Sequence, residues 1–293
     1  MLTEEQVLFF DTFGFVVLKN VFTPDEMKII QNEFDHRATV ASHYERFDGS
    51  NRHNMRMMGE DTPFFASLLE DSRFVDAAEQ MFGKILPGNV DADRYVDDSA
   101  WHYDAGGWDA YGVKFAFYLQ PVRKYSGSLR VIPGAHKKEW FDELYNQEPI
   151  GPRWTRAAAS SEETRLAMDA IDSIPSYACE SNPGDVVAFD LRMYHASYGG
   201  SKDRHMCSVV YYADPSTPEE SLLMHMSAKG LINPTEGDPW NAQSVREEWL
   251  QNKGGDTRRQ RWINRLRELA EMPDEQNGLK VIAENGKLKL VPA

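Results

Sequence analysis

The spacing of apolar positions divides the chain into a helical opening, a β-rich middle and a helical end. Residues 3–13 (TEEQVLFFDTF) read as a short amphipathic helix running into an extended segment, GFVVLK. The next stretch, TPDEMKIIQNEF, carries a strong helix-start signal. Thr23 suits the N-cap, Pro24 the first helical position, and Glu26 completes a capping box. Ile29, Ile30 and Phe34 then place apolar groups on one helix face. Residues 62–82 predict a second helix, with Gly83 placed to end it. From about residue 88 the period shortens to that of strands. RYV, KFAFYLQ, SLRVIPG, PGDVVAFD and HMCSVVYYA are separated by Gly and Pro, as in a β-sandwich or barrel. Residues 137–175 are polar and partly helical, an expected insertion. After DPSTPEE the pattern turns helical again in VREEWL and RRQRWINRLRELAEM.

These textures predict one domain over 1–293, mainly β with flanking helices (α+β), built on a double-sheet jelly roll or double-stranded β-helix of cupin-like shape. Residues 1–87 would support the core, 88–213 would form it, and 214–293 would be a helical extension. The length suits one large domain with an ample core.

Composition narrows the function. The net charge of −14 argues against nucleic-acid or anionic-membrane binding. Cys179 and Cys207 are the only cysteines, so neither a disulfide framework nor a structural zinc site is indicated. The acidic start MLTEEQVLFFDTFG lacks a basic region before an apolar stretch, and no run of about 18 apolar residues occurs. A cytoplasmic protein, monomeric or homodimeric, is the expectation.

Candidate chemistry concentrates in SAWHYDAGGW and FDLRMYHASYGG. Residues i and i+2 of a strand share a face, so His102 and Asp104 can reach one metal ion, with His195 from a distant strand as third ligand. Two histidines and one carboxylate with open positions form the facial triad of non-haem Fe(II) oxygenases. A His-x-acid pair arises roughly once by chance in such a composition, so the motif alone is a hypothesis. His43-Tyr44-Glu45 is a second such pair, read as helical surface, where i and i+2 do not face each other.

The pieces taken in order resemble the phytanoyl-CoA dioxygenase family of Fe(II)/2-oxoglutarate oxygenases, from about residue 2 to 212. The opening LTEEQVLFFDTFGFVVLKNVFTPDEM, His102-Tyr103-Asp104, SGSLRVIPGAH at 126–136, NPGDVVAFDLRMYHAS and Arg204 all match in sequence order. The resemblance implies a distorted double-stranded β-helix and iron held by His102, Asp104 and His195. It implies 2-oxoglutarate chelated to that iron, its far carboxylate held by Arg204. It further implies use of O2, release of succinate and CO2, and hydroxylation or another oxidation of a small molecule. Asp104 implies a hydroxylase in place of a halogenase, since the related halogenases lack that carboxylate.

Lys114, Tyr118 and Gln120 share one face of KFAFYLQ, while Phe115, Phe117 and Leu119 share the other, and parity does not say which looks inward. Lys114, Tyr118 and Arg130 are candidate 2-oxoglutarate contacts. Trp101, Trp108 and Arg56 are candidate substrate contacts, with Arg52 a further cation for an anionic group. His136, after a tight turn, is assigned a structural role. Two other readings stay open. One is a non-catalytic jelly roll binding 2-oxoglutarate or another small molecule; the other is a cupin-like metalloenzyme without a keto acid. No Lys/Arg cluster announces a channel for the phosphates of coenzyme A, so a small free metabolite is favoured as substrate.

Overall fold

A computed structural model describes residues 1–42, 46–105, 110–145, 174–200, 203–232, 247–284 and 287–293. Trp108 and the His43-Tyr44-Glu45 pair lie outside the described residues.

In chain order the first elements are α1 (Glu4–Phe13), β1 (Phe15–Leu18), α2 (Pro24–Ser42), β2 (His53–Arg56), α3 (Pro63–Ser67) and α4 (Ser72–Phe82). The central strands are β3 (Ile85–Tyr95), β4 (Ser99–His102), β5 (Gly112–Tyr118) and β6 (Leu129–Val131). After α5 (Lys138–Tyr145) come β7 (Tyr177–Cys179), β8 (Val186–Asp190), β9 (His195–Ser197) and β10 (Arg204–Ala213). The chain ends with α6 (Pro218–Ile232), α7 (Glu247–Gln251), α8 (Thr257–Ala270), β11 (Glu275–Gln276), β12 (Leu279–Glu284) and β13 (Lys287–Pro292).

Local signals set the N-terminal elements. A capping box between Thr3 and Gln6 starts α1, and Gly14, in the left-handed region at φ 82°, ends it and turns the chain into β1. The expected box at α2 forms: Glu26 Oε2 accepts from the Thr23 N–H at 2.8 Å, and Thr23 Oγ1 from the Glu26 N–H at 3.2 Å. The single helix expected over 62–82 is broken. Asp71 takes an extended conformation and caps α4 through the Arg73 N–H, so a 3₁₀ turn (Leu68–Glu70) separates α3 from α4.

Two antiparallel sheets face each other as an open jelly roll. The larger has the order β1-β8-β5-β10-β3-β2, the smaller β4-β9-β6-β7. Both β1 and β2 come from the segment expected to be mere support, and they form the two edges of the larger sheet. Alternation along β5 divides the core. Phe115 and Phe117 point outward with Val209 and Tyr211 into a cluster under the helices, joined by Phe34, Phe74, Trp262 and Leu266. Ala116 and Tyr118 point inward, toward Leu129, Val131, Phe189 and Ala196 between the sheets.

The C-terminal segment is not wholly helical. It closes with a three-stranded sheet, β11-β12-β13, turned at Asn277-Gly278, both at positive φ. That dipeptide is the strongest short hairpin signal, and the helical reading passed over it. Among the described residues no helix is long and apolar enough to cross a membrane.

Candidate active site

Pairing of β4 with β9 sets His102 directly opposite His195. β4 ends at His102, so Asp104 lies just past the strand, where the Asp104 and Ala105 N–H groups both donate to Leu191 O at 2.8 Å. That tether turns the carboxylate back toward the histidines. Asp104 Oδ1 lies 3.8 Å from His102 Nε2, and Oδ2 lies 3.7 Å from His195 Nε2. One ligand atom from each of the three residues lies within 4.8 Å of the others. The distant triad members named from sequence are thus brought together in space.

Backbone carbonyls select the ring tautomers. Ala100 O lies 2.7 Å from His102 Nδ1, and Met193 O lies 2.9 Å from His195 Nδ1. A carbonyl only accepts, so each Nδ1 carries a proton, and each Nε2 is the ring nitrogen that faces Asp104. Burial pushes the Asp104 carboxyl up, but Lys114 above all, then His195 and His102, outweigh it and hold the group well below the usual carboxylate range. Lys114 Nζ donates to Asp104 Oδ2 at 2.9 Å, and although burial opposes its charge, Asp104 raises it.

From the triad a cavity runs to Arg204, walled by Tyr118, Leu129, Phe189, Ser197 and Met206. The empty space among these residues is about 440 Å³, open solvent at its mouth included. Arg204 is 2% exposed. Its Nη2 donates to Ser197 Oγ at 2.9 Å, whereas Nε and Nη1 are buried without a hydrogen-bond partner. Two glycines make room for it: a Cβ at Gly127 or at Gly200 would stand 2.2 Å from Arg204 Nη1. The Tyr95 ring lies beneath, its centroid 5.0 Å from the guanidinium carbon. Burial raises the Tyr118 phenol to about 12, so it stays protonated beside the cavity.

The structure decides the parity question on β5, since Lys114 and Tyr118 line the cavity and Phe115 and Phe117 do not. Three expectations are corrected. Arg130 sits between Leu129 and Val131 on β6 but on the opposite face, where it donates to Lys124 O and lies over the Tyr125 and Tyr198 rings. Trp101, 1% exposed, packs in the core between the sheets and does not wall the cavity. Arg56 points to Asp91, with contacts of 2.7 and 2.9 Å, and is not a cavity residue. Arg52 is the arginine of that segment that reaches the cavity, held by Asp93 at 2.7 Å and the Tyr95 hydroxyl at 3.0 Å. Ser197 and Tyr95 were not anticipated. Ser197 follows His195 by two on one strand, so parity pointed to it; Tyr95 is the register partner of Arg204, which no sequence signal reveals. His136 lies outside the cavity, its Nε2 3.1 Å from Asp11 O.

Comparison with known proteins gives a consistent picture. The family model for phytanoyl-CoA dioxygenase matches residues 10–206. The ectoine dioxygenase of Sphingopyxis alaskensis is 24% identical over 227 residues, covering 68% of this chain and 71% of the relative. The crystal structure of EctD from S. alaskensis with 2-oxoglutarate and 5-hydroxyectoine superposes with a TM-score of 0.52 at 20% identity, covering 73% of this chain and 77% of the other. HygX from Streptomyces hygroscopicus, with nickel and 2-oxoglutarate bound, has the same TM-score and identity, over 72% of this chain and 87% of its own. At these identities the structural likeness is one of fold.

Proposed function

The chain belongs to the phytanoyl-CoA dioxygenase family, and from that premise we propose that it is an Fe(II)- and 2-oxoglutarate-dependent dioxygenase. It oxidises a small free metabolite, hydroxylation being the simplest outcome, with release of succinate and CO2. The observation that carries this reading is one cavity with three residues able to hold a metal at one end and, at the other, a buried guanidinium two of whose nitrogens have no hydrogen-bond partner among the described residues.

The donor set fits the metal. Two neutral imidazoles and one ionised carboxylate on one side leave further positions open, as non-haem iron requires. The pocket also fits the keto acid. Arg204 Nε and Nη1 have no answering acceptor, and a carboxylate is the group a guanidinium fork receives best. Iron and 2-oxoglutarate, when bound, supply the chemistry: O2-dependent decarboxylation of the keto acid coupled to oxidation of a substrate C–H bond.

The protein's own part is placement, charge and dryness. His102, Asp104 and His195 would hold the metal, with ring orientation set by the carbonyls of Ala100 and Met193. Arg204, steadied by Ser197, takes the distal carboxylate. Leu129, Phe189 and Met206 line the cavity and would offer apolar surface to a bound keto acid. Tyr118 remains a hydrogen-bond donor across the working pH range.

The test is an anaerobic titration of the apoprotein with Fe(II) and 2-oxoglutarate, followed through the visible charge-transfer band of the chelate. The band is expected in wild type and absent in His195→Ala. A folded, iron-loaded protein that gives no band on adding the keto acid sinks the reading. Succinate release then serves to screen substrates.

A further inference from the structure

Lys114 stands apart from the other cations around the cavity. Arg52 pairs with Asp93, and Arg204 reaches Ser197 at the far end. Lys114 alone among them donates to a member of the triad, placing its ammonium 2.9 Å from Asp104 Oδ2. β5 fixes this arrangement. Lys114 pairs in register with Phe189 on β8 and with Val210 on β10, so its backbone sits in the middle of the larger sheet and its side chain can only cross the interior. A buried ammonium facing the site that is to receive a divalent cation is electrostatically unfavourable for that cation. Its position therefore calls for a compensating role.

We propose that Lys114 is a positioning residue that restricts Asp104 to ligation through one oxygen. The inference rests on the triad reading above. Lys114 engages Oδ2, the oxygen that also lies 3.7 Å from His195 Nε2, and so leaves Oδ1, 3.8 Å from His102 Nε2, as the oxygen offered to a metal. The reason is coordination number. Three protein donors leave three of about six octahedral positions open, two for the keto acid and one for O2. A carboxylate chelating through both oxygens removes one of those positions. Lys114 keeps it open, at the cost of some metal affinity.

This predicts that metal affinity is kept or raised while keto-acid affinity falls, a split that a purely structural lysine does not produce. In Lys114→Met the second oxygen is released and the opposing charge removed, so Ni(II) binds as tightly as in wild type or more tightly. Binding of 2-oxoglutarate to the nickel-loaded protein weakens by about tenfold or more, because the released oxygen competes for one of the positions the keto acid needs. Lys114→Gln keeps a donor without the charge and restores most of the keto-acid affinity. Nickel and 2-oxoglutarate titrations by calorimetry read both quantities without turnover, and the charge-transfer band of the anaerobic iron complex reports the chelate. Loss of both affinities together in Lys114→Met, or no change in either, overturns the proposal, as does a Gln variant that behaves like Met. His195→Ala measured alongside separates the two levels. If it retains wild-type nickel affinity, the triad reading fails; if it loses nickel while Lys114→Met is unchanged, only the role of Lys114 fails.

Discussion

The two ends of the cavity are finished in opposite ways. At the triad, the chain answers its own charges: Asp104 has Lys114, and each histidine Nδ1 has a backbone carbonyl. At the other end, among the described residues, Arg204 has a single hydrogen-bond partner, Ser197, and two buried donor atoms with none. A buried donor left without an acceptor costs about 1–3 kcal/mol. The metal end is therefore pre-set in the folded chain, while the arginine end is left for a ligand to complete. A ligand that supplies a carboxylate there binds the native state alone and stabilises it by mass action.

The largest expected effect comes from destroying the pre-set end. His195→Ala is expected to reduce metal affinity by more than about 100-fold, the upper scale for losing even an outer partner of a ligand, and turnover with it. Calorimetric titration with Ni(II) checks this, and near-wild-type affinity would erase the contrast between the ends. Next is the arginine end. Arg204→Leu is expected to raise the KM for 2-oxoglutarate by about 100-fold while metal affinity holds, since truncating one side of a buried charge pair typically costs about 2–5 kcal/mol. Steady-state succinate formation at varied 2-oxoglutarate measures it; equal losses of metal and keto-acid affinity would show that the ends are not independent.

A subtler change sharpens the same contrast. Gly127 sits at φ 82° and its absent Cβ leaves the space that Arg204 Nη1 fills. Gly127→Ala is expected to weaken 2-oxoglutarate by about tenfold, one charge-assisted hydrogen bond, with nickel binding untouched. An unaltered keto-acid affinity would mean that the guanidinium adapts and the cradle is not needed.

The smallest effect lies outside the cavity and serves as its control. Burial above all holds the His136 imidazole below its ordinary value. The unfolded chain then binds more protons between that lowered value and roughly 6.5, so stability rises with pH through this window and falls as acid is added. His136→Gln is expected to flatten that slope in urea midpoints taken between about pH 5 and 7, leaving the affinities of both cavity ends as they were. A steeper slope in the variant would reverse the sign of the effect.

Legibility in the sequence followed the range of the interaction. Thr23 and Glu26 announced their capping box because both partners lie within one helical turn. His102-x-Asp104 was visible for the same reason, and the jelly roll followed from short strands punctuated by turn residues. Parity showed that Lys114 and Tyr118 share a face, but which face looks inward depends on the smaller sheet covering it. The same ignorance misplaced Arg130, whose neighbours Leu129 and Val131 take the inner face of a three-residue strand. Arg52 and Arg56 share parity on neighbouring turns of sequence, and only the positions of Asp91 and Asp93 on β3 assign one to the cavity and the other to an ion pair beyond it. The break at Asp71 was hidden because an aspartate inside a helical pattern and an aspartate starting a new helix look alike until the backbone bends.

By itself, the sequence determined the residue types of the proposed metal site, the helix starts, the β-rich middle and the family. These rest on local chemistry and on order along the chain. Tertiary structure alone decided that His195 faces His102, that Lys114 meets Asp104, and that Arg204 lies in a glycine cradle with donors to spare. Each of these is a meeting of strands far apart in sequence, set by register and by which face of a sheet is buried, and neither quantity is written in any one segment of the chain.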